Sequence, residues 1–267
     1  MLPIIEIQIE NLHKAFDDKQ ILKGINLDLY QGDVIAIVGG SGCGKTVLMN
    51  HILGQIVPDR GNVRVIDHNN PAEPFRDLAD IHGFELDSIH QHWGVVFQRN
   101  ALFSGTVYEN IALWLKEVKG LHDDAILPIA QKYLKAVALP DDKQFLNRPH
   151  EKLSGGMAKR LAIARALSMG PIVVFYDEPT TGLDPTSSAQ IHNLIFDTHF
   201  EIDKRTSIII THDKDLLNRL QPRIIMLHEG NILFDGPFEE FKDSGSEVIR
   251  PYFDLMPILH KRNILDK

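Results

Sequence analysis

Val34-Ile-Ala-Ile-Val38, Gly39-Gly-Ser-Gly-Cys-Gly-Lys-Thr46 and a helical pattern from Val47 to Leu53 follow one another without interruption. The first run is apolar and mostly β-branched, as in a strand of a parallel sheet covered on both faces. The second fits G-x-x-x-x-G-K-[ST] in the context that gives the pattern meaning, after a strand and before a helix. Gly39, Gly40, Gly42 and Gly44, with Ser41 and Cys43 between them, let backbone N–H groups converge on the β- and γ-phosphates of a nucleotide, and the helix N-terminus adds a favourable dipole. Lys45 is placed to neutralise phosphate charge and Thr46 to ligate Mg²⁺. Val47 offers only its backbone N–H. Cys43 is a small residue beside phosphate, with a redox switch as the alternative.

Outward from this loop, Ile172-Val-Val-Phe-Tyr176 and Ser207-Ile-Ile-Ile210 are further continuous apolar runs, each followed by a polar loop and a helical pattern. That alternation predicts α/β layering with ligands at the carboxyl ends of the strands. Ile5, Ile7 and Ile9 alternate with polar residues, as in a half-exposed strand. The strand signal vanishes from about Gly105 to Met169. Thr106–Val118, Asp123–Ala138 and Gly155–Ser168 read as helices there, the second weakened by Pro128. A helical subdomain over about residues 100–169 is therefore expected, inserted in a domain spanning 1–245. Residues 246–267 read as a C-terminal extension broken by Pro251 and Pro257.

Two more strand ends carry chemistry. Asp177-Glu178 ends one apolar run, which places Asp177 as a metal ligand and Glu178 as the general base for an attacking water. His212 ends another, where an imidazole contacts the γ-phosphate and orients Glu178 or its water. Leu153-Ser-Gly-Gly-Met157 opens the helix from Gly155. Ser154 reads as its N-cap, and Gly155 and Gly156 leave N–H groups bare, a second anion site. One triphosphate rarely needs two such sites in one chain, so a symmetric pair in which each chain offers its second site to the other's ATP is the economical reading.

With these residues in view, the chain resembles the ATP-binding cassette (ABC) ATPases over about residues 4–240. Leu153-Ser-Gly-Gly is similar to the signature of that family. Phe16 matches the aromatic that stacks on adenine, Gln98 the glutamine that touches Mg²⁺ and water, Thr181-Gly-Leu-Asp184 the loop crossing the dimer interface, and His212 the switch histidine. The resemblance implies a P-loop NTPase core with a mostly parallel sheet and an N-terminal antiparallel β subdomain. It implies ATP and Mg²⁺ as cofactors. It also implies catalysis by Glu178, His212, Gln98 and Lys45, a head-to-tail pair, and an integral-membrane permease that meets the segment Arg99–Phe103 through Tyr108. The chain departs from the usual pattern in Val47, where a hydroxyl residue often reaches the α-phosphate, and in the longer stretch from Ile66 to His92.

Asn100-Ala-Leu-Phe-Ser104, Ser154-Gly-Gly-Met-Ala-Lys-Arg160 and Tyr176-Asp-Glu-Pro-Thr-Thr-Gly182 resemble, more narrowly, the ATPases of Mla/Mce-type phospholipid transporters. Those maintain outer-membrane lipid asymmetry from the cytoplasmic face of the inner membrane. This narrower resemblance implies a membrane-anchored Mce lipid-binding protein and a STAS-domain regulator as partners. In that family a C-terminal extension can reach the opposite subunit. Tyr252, Phe253 and Leu255 fit that role, or a tail packed on its own chain.

Composition bounds the alternatives. Lys plus Arg is 28 against 36 Asp plus Glu, a net charge of −8, which argues against nucleic-acid binding and against direct adsorption to an anionic bilayer. One cysteine excludes an intrachain disulfide and fits a reducing compartment. The start carries an early acid and no basic run, unlike a secretory leader, and the apolar runs are far short of a membrane span. His82, His90 and His92 cluster without completing a metal set. Two rivals remain: a small-solute importer ATPase, decided by the co-purifying permease or lipid, and a non-transport ABC ATPase of DNA repair or translation, decided by DNA-stimulated turnover.

Overall fold

The computed structural model describes residues 3–70, 74–201 and 205–256. Its centre is a six-stranded sheet in the order β10-β9-β3-β8-β7-β6. Strands β6 (Trp93–Val96), β7 (Val173–Asp177), β8 (Thr206–Ile210), β3 (Val34–Val38) and β9 (Arg223–His228) run parallel, and β10 (Asn231–Pro237) closes one edge antiparallel to β9. The period of two along each strand divides the core. Ile35, Ile37, Phe175, Ile208 and Ile210 face one side, together with Leu48, Met49 and Ile52 of α1 (Lys45–Ile52). Val174, Tyr176 and Ile209 face the other. Apolar residues on both faces are what a centrally placed parallel strand requires.

A second sheet, β2-β1-β4-β5, is antiparallel and lies over the α1 side. It is built from β1 (Ile5–Phe16), β2 (Lys19–Tyr30), β4 (Arg60–Ile66) and the short β5 (Phe75–Asp77). Ile7 and Ile9 are buried, in line with the alternation. Glu6 departs from it: its side chain is buried too, with Oε1 2.8 Å from His68 Nε2, so a polar pair sits where solvent was expected. The long stretch after Ile66 supplies β5 and α2 (Phe84–His90).

On the other face lie α3 (Val107–Glu117), α4 (Asp123–Ala136), α5 (Lys143–Leu146) and α6 (Gly155–Ser168). Thr106 starts α3 with a capping box through Glu109. Pro128 does not interrupt α4, whose buried stripe Ile126, Ala130, Tyr133 and Leu134 packs on α3 and α6 and offsets the one backbone bond that proline removes. α7 (Pro185–Glu201) and α8 (Lys214–Leu220) complete this layer.

Pro251 also leaves its helix intact. It lies in the first turn of α10 (Ile249–Leu255), where an N–H has no intrahelical partner to lose. Ile249 and Phe253 are buried against Phe238 and Phe241 of α9 (Phe238–Lys242), so this part of the extension packs on its own chain. Pro257 lies outside the described residues. Among the described residues, no helix is long and apolar enough to cross a membrane.

Candidate functional site

The parallel strands end together, and their loops carry the groups singled out above. β3 runs into the glycine loop. Gly39 has φ +145°, and a Cβ there would lie 2.3 Å from the Leu227 carbonyl oxygen. Gly44, at φ +108°, would press a Cβ to 2.8 Å from Leu22 Cδ2. Neither position tolerates a side chain, so the loop's path depends on both glycines. Gly44 is also the N-cap of α1 and supplies no capping side chain, so the first N–H groups of that helix stay available to an anion. Lys45 curls back over the loop, its Nζ donating to Gly39 O at 2.8 Å and Gly40 O at 3.0 Å. Those carbonyl oxygens hold the ammonium where phosphate oxygens would take it. Thr46 and Ser41 are exposed beside them, Val47 is half-buried, and Cys43 Sγ lies 4.0 Å from Lys45 Nζ.

β7 delivers Asp177 and Glu178. Asp177 is buried, forms no salt bridge among the described residues, and has its pKa raised by burial and by the Glu178 charge, partly countered by Lys159 and Lys45. A carboxylate so placed fits a divalent cation, whose charge would reverse that upward shift. Glu178 sits at φ 49°, a left-handed conformation unusual for glutamate. The turn is held by its N–H, which donates to Ile210 O of β8 at 2.9 Å. It aims Oε1 at His212, whose Nδ1 is 2.7 Å away. That contact raises the His212 pKa despite partial burial.

Gln98 is exposed in the loop after β6. Two residues given no site role above fix this loop to α6. Lys159 is buried and its Nζ donates to Phe97 O at 3.0 Å and Gln98 O at 3.1 Å; burial lowers its pKa. Asn100 Nδ2 donates to Gly155 O at 3.3 Å. Phe16 is 44% exposed with Lys14 Nζ over its ring at 5.5 Å from the centre, so it is a surface aromatic and not core.

The second anion turn is open. Ser154 Oγ caps α6 by accepting from Met157 N at 3.3 Å, and nothing lies within 4 Å of a Cβ built on Gly155. Asp184 turns inward to its own helix: its carboxylate accepts from Ser187 N at 3.0 Å and Ser187 Oγ at 2.6 Å, which caps α7 and lowers its pKa.

Beneath the loops is a buried network. Asp213 Oδ2 accepts from Thr180 Oγ1 at 2.8 Å and lies 2.6 Å from His192 Nε2 of α7. Its Oδ1 caps α8 through the amides of Asp215 and Leu216. It thereby ties the loop after Glu178 to the loop after His212. The available signal was an aspartate placed just before a helical pattern.

The segment after Gln98, where a permease was expected to meet the chain, exposes apolar side chains at some positions only. Leu102 is half-buried against the helical core, whereas Phe103 is exposed, edge-on to Trp114 at 5.9 Å and under Arg165 at 4.8 Å. Trp114 and Leu113 extend that exposed surface along α3.

Known proteins share this arrangement. A family model described as ABC transporter matches residues 22–181. A probable ribonucleotide transport ATP-binding protein of Mycobacterium leprae is 33% identical over 94% of this chain and 69% of its own length. The chloroplastic protein trigalactosyldiacylglycerol 3 of Arabidopsis thaliana is 31% identical over 92% of this chain and 72% of its own, and a methionine import ATP-binding protein of Clostridium tetani is 31% identical over 97% and 76%. Among solved structures, the post-hydrolysis dimer of the ATP-binding cassette MJ0796 bound to ADP and Pi is 29% identical with a TM-score of 0.75, covering 87% of this chain and 98% of that one.

Proposed function

The chain belongs to the ABC transporter family and is an ATP-binding, ATP-hydrolysing subunit of such a transporter; on that premise we propose that it works as a head-to-tail pair and powers phospholipid movement between two membranes. The observation that carries the catalytic reading is the meeting of Lys45, Asp177, Glu178 and His212 at the ends of three adjacent parallel strands. The reaction is in-line attack of water on the γ-phosphorus. The bond to the β,γ-bridging oxygen breaks, and ADP and phosphate leave. Lys45 exchanges its carbonyl partners for phosphate oxygens. Glu178 accepts the water proton, and His212 holds the Glu178 carboxylate in place. Thr46, Gln98 and Asp177 would hold a Mg²⁺ ion, which would supply charge neutralisation at the phosphates.

The open Ser154-Gly155-Gly156 turn supports the pairing. Nothing lies within 4 Å of a Cβ built on Gly155, and a second copy's triphosphate has the chemistry to meet the N–H groups of this helix start. In this arrangement Asp184, capping α7, presents the Thr181–Asp184 loop to the partner copy. The dimeric form of the MJ0796 cassette is in keeping with this. Phe103, Trp114 and Leu113 form the surface offered to a permease, which would hold the chain peripherally at the cytoplasmic face of the inner membrane. Phe16 stacks on adenine. A disulfide between Ser41→Cys of one copy and Ser154→Cys of another, in a Cys43→Ala, Glu178→Gln background with Mg-ATP, tests the pair; its absence would refute it.

Phospholipid as cargo, with an Mce-type lipid-binding protein and a STAS-domain regulator as partners, is supported by Met157-Ala-Lys-Arg160 after the glycines and by a relative that carries the name of a glycolipid. Relatives named for methionine and phosphate import favour a small-solute cargo instead. Purifying the native complex from membranes decides between them. Bound phospholipid, and ATPase stimulation by phospholipid vesicles, support the first reading. A lipid-free complex stimulated by a solute-loaded binding protein sinks it.

A further inference from the structure

The catalytic scheme leaves α10 unused, yet this helix reaches the nucleotide loop. Tyr252 Oη accepts from Gly39 N at 2.9 Å and lies 3.3 Å from Gly39 O, to which it donates. A single hydroxyl therefore satisfies both backbone groups of the first loop glycine. The next residue, Phe253, is buried against Phe238 and Phe241, and its carbonyl accepts from Lys214 Nζ at 3.2 Å while that ammonium sits 4.0 Å from its ring centre. Lys214 opens α8, two residues after His212. The short helix thus spans the loop that binds phosphate and the loop that carries the histidine.

We propose that Tyr252 is a positioning residue for ATP binding, holding Gly39 in place when Lys45 turns from the loop to the triphosphate. This role rests on the ATP-binding reading of Gly39–Thr46 and adds to it. Gly39 is buried, and its carbonyl oxygen has two donors, Lys45 Nζ at 2.8 Å and the Tyr252 hydroxyl. When Lys45 moves onto phosphate oxygens, that carbonyl keeps a partner only through Tyr252. A buried carbonyl stripped of its donors is unfavourable. Loss of the donor to Gly39 O would weigh most on the bound state, where Lys45 no longer compensates, so the hydroxyl favours binding. The tertiary clasp is specific to this face: Gly39 has no room for a side chain of its own, and the half-buried Tyr252 lies over it with its hydroxyl on both backbone groups.

The test is Tyr252→Phe in the full chain, which keeps the ring and removes the hydroxyl. Mg-ATP binding is followed by calorimetry, turnover by phosphate release, and the loop and helix by amide hydrogen exchange. The expected result is a rise of about fivefold to tenfold in Kd and KM for ATP, from loss of one buried hydrogen bond, with kcat within about twofold. Exchange should quicken in peptides covering Val34–Thr46 and stay unchanged in α10. Lys214→Met, which removes the contact on the neighbouring Phe253, should weaken ATP binding in the same direction by a smaller factor. Wild-type Kd and loop exchange in Tyr252→Phe would overturn the proposal, as would faster exchange across α10 with a lower Tm, which would make the residue mere packing. Failure of the unmutated chain to bind ATP would instead sink the nucleotide site itself.

Discussion

Replacing Asp213 with alanine should be among the most damaging single changes outside the nucleotide loop. Its carboxylate is 2% exposed and holds four partners: Thr180 Oγ1, His192 and the two α8 amides. Alanine removes a helix cap, about 1 kcal/mol, and takes the Asp213 carboxylate from the buried Thr180 hydroxyl and the buried His192 imidazole, about 1–3 kcal/mol each before relaxation. Allowing for collapse of the site, the total is about 3–5 kcal/mol, the range for breaking a buried pair. At about 2–4 °C per kcal/mol for a chain of this size, Tm should fall by roughly 6–20 °C. Asp213→Asn keeps the shape and loses the charge, and should cost about 1–2 kcal/mol. The pH dependence has a definite sign. Burial alone would push the Asp213 carboxyl up, but His192, Thr180 and the Leu216 amide hold it below its ordinary 3.8. A depressed carboxyl stabilises the fold above its unfolded pKa and loses that contribution as pH falls through the folded one. The gap between wild type and Asp213→Asn should therefore be full at neutral pH and close below about pH 3.8. Calorimetric or circular-dichroism melts across pH measure it. An Asp213→Ala Tm within about 1 °C of wild type would refute the reasoning about buried partners.

Lys45→Ala should weaken Mg-ATP binding by at least about a hundredfold, because a phosphate loses its one cationic side chain from the loop; equilibrium dialysis checks it. Glu178→Gln should bind ATP, slow phosphate release by about a hundredfold or more, and accumulate as a dimer in size-exclusion chromatography; normal turnover would remove Glu178 as the base. The His212 pKa, read by NMR titration, should lie above 6.5 in wild type and fall in Glu178→Gln. Because the folded value is raised, the contact stabilises the nucleotide-free chain fully below pH 6.5 and fades as pH rises through the folded value, and the half-exposed ring keeps the effect small.

The reach of the sequence varied with the kind of signal. Gly39–Thr46, Ser154–Gly156 and the strand ends at Asp177 and His212 were legible because each is local: a glycine pattern, a cap or a carboxylate at the end of an apolar run is set by neighbours along the chain. Phe16 matched an aromatic position, but only the structure leaves its ring exposed. The departures arose where distant segments meet. Glu6 lies on the expected strand and is buried because His68, far along the chain, supplies a partner. Lys159 entered only as part of the stretch Ser154–Arg160, and its role of gripping the carbonyls of Phe97 and Gln98 exists only once α6 lies beside the end of β6.

What the sequence determined by itself was where the main buried strands and the helical stretch fall and which candidate groups stand at strand ends, since periodicity and short motifs depend on backbone geometry within a turn or a strand. The tertiary structure decided which groups share a loop cluster and what holds them. The parallel register of β3, β7 and β8 brings Lys45, Glu178 and His212 to one edge, and a helix more than two hundred residues downstream of Gly39 completes its hydrogen bonds. Such contacts carry no local periodicity, because they arise from packing between elements and not from the conformation of either one.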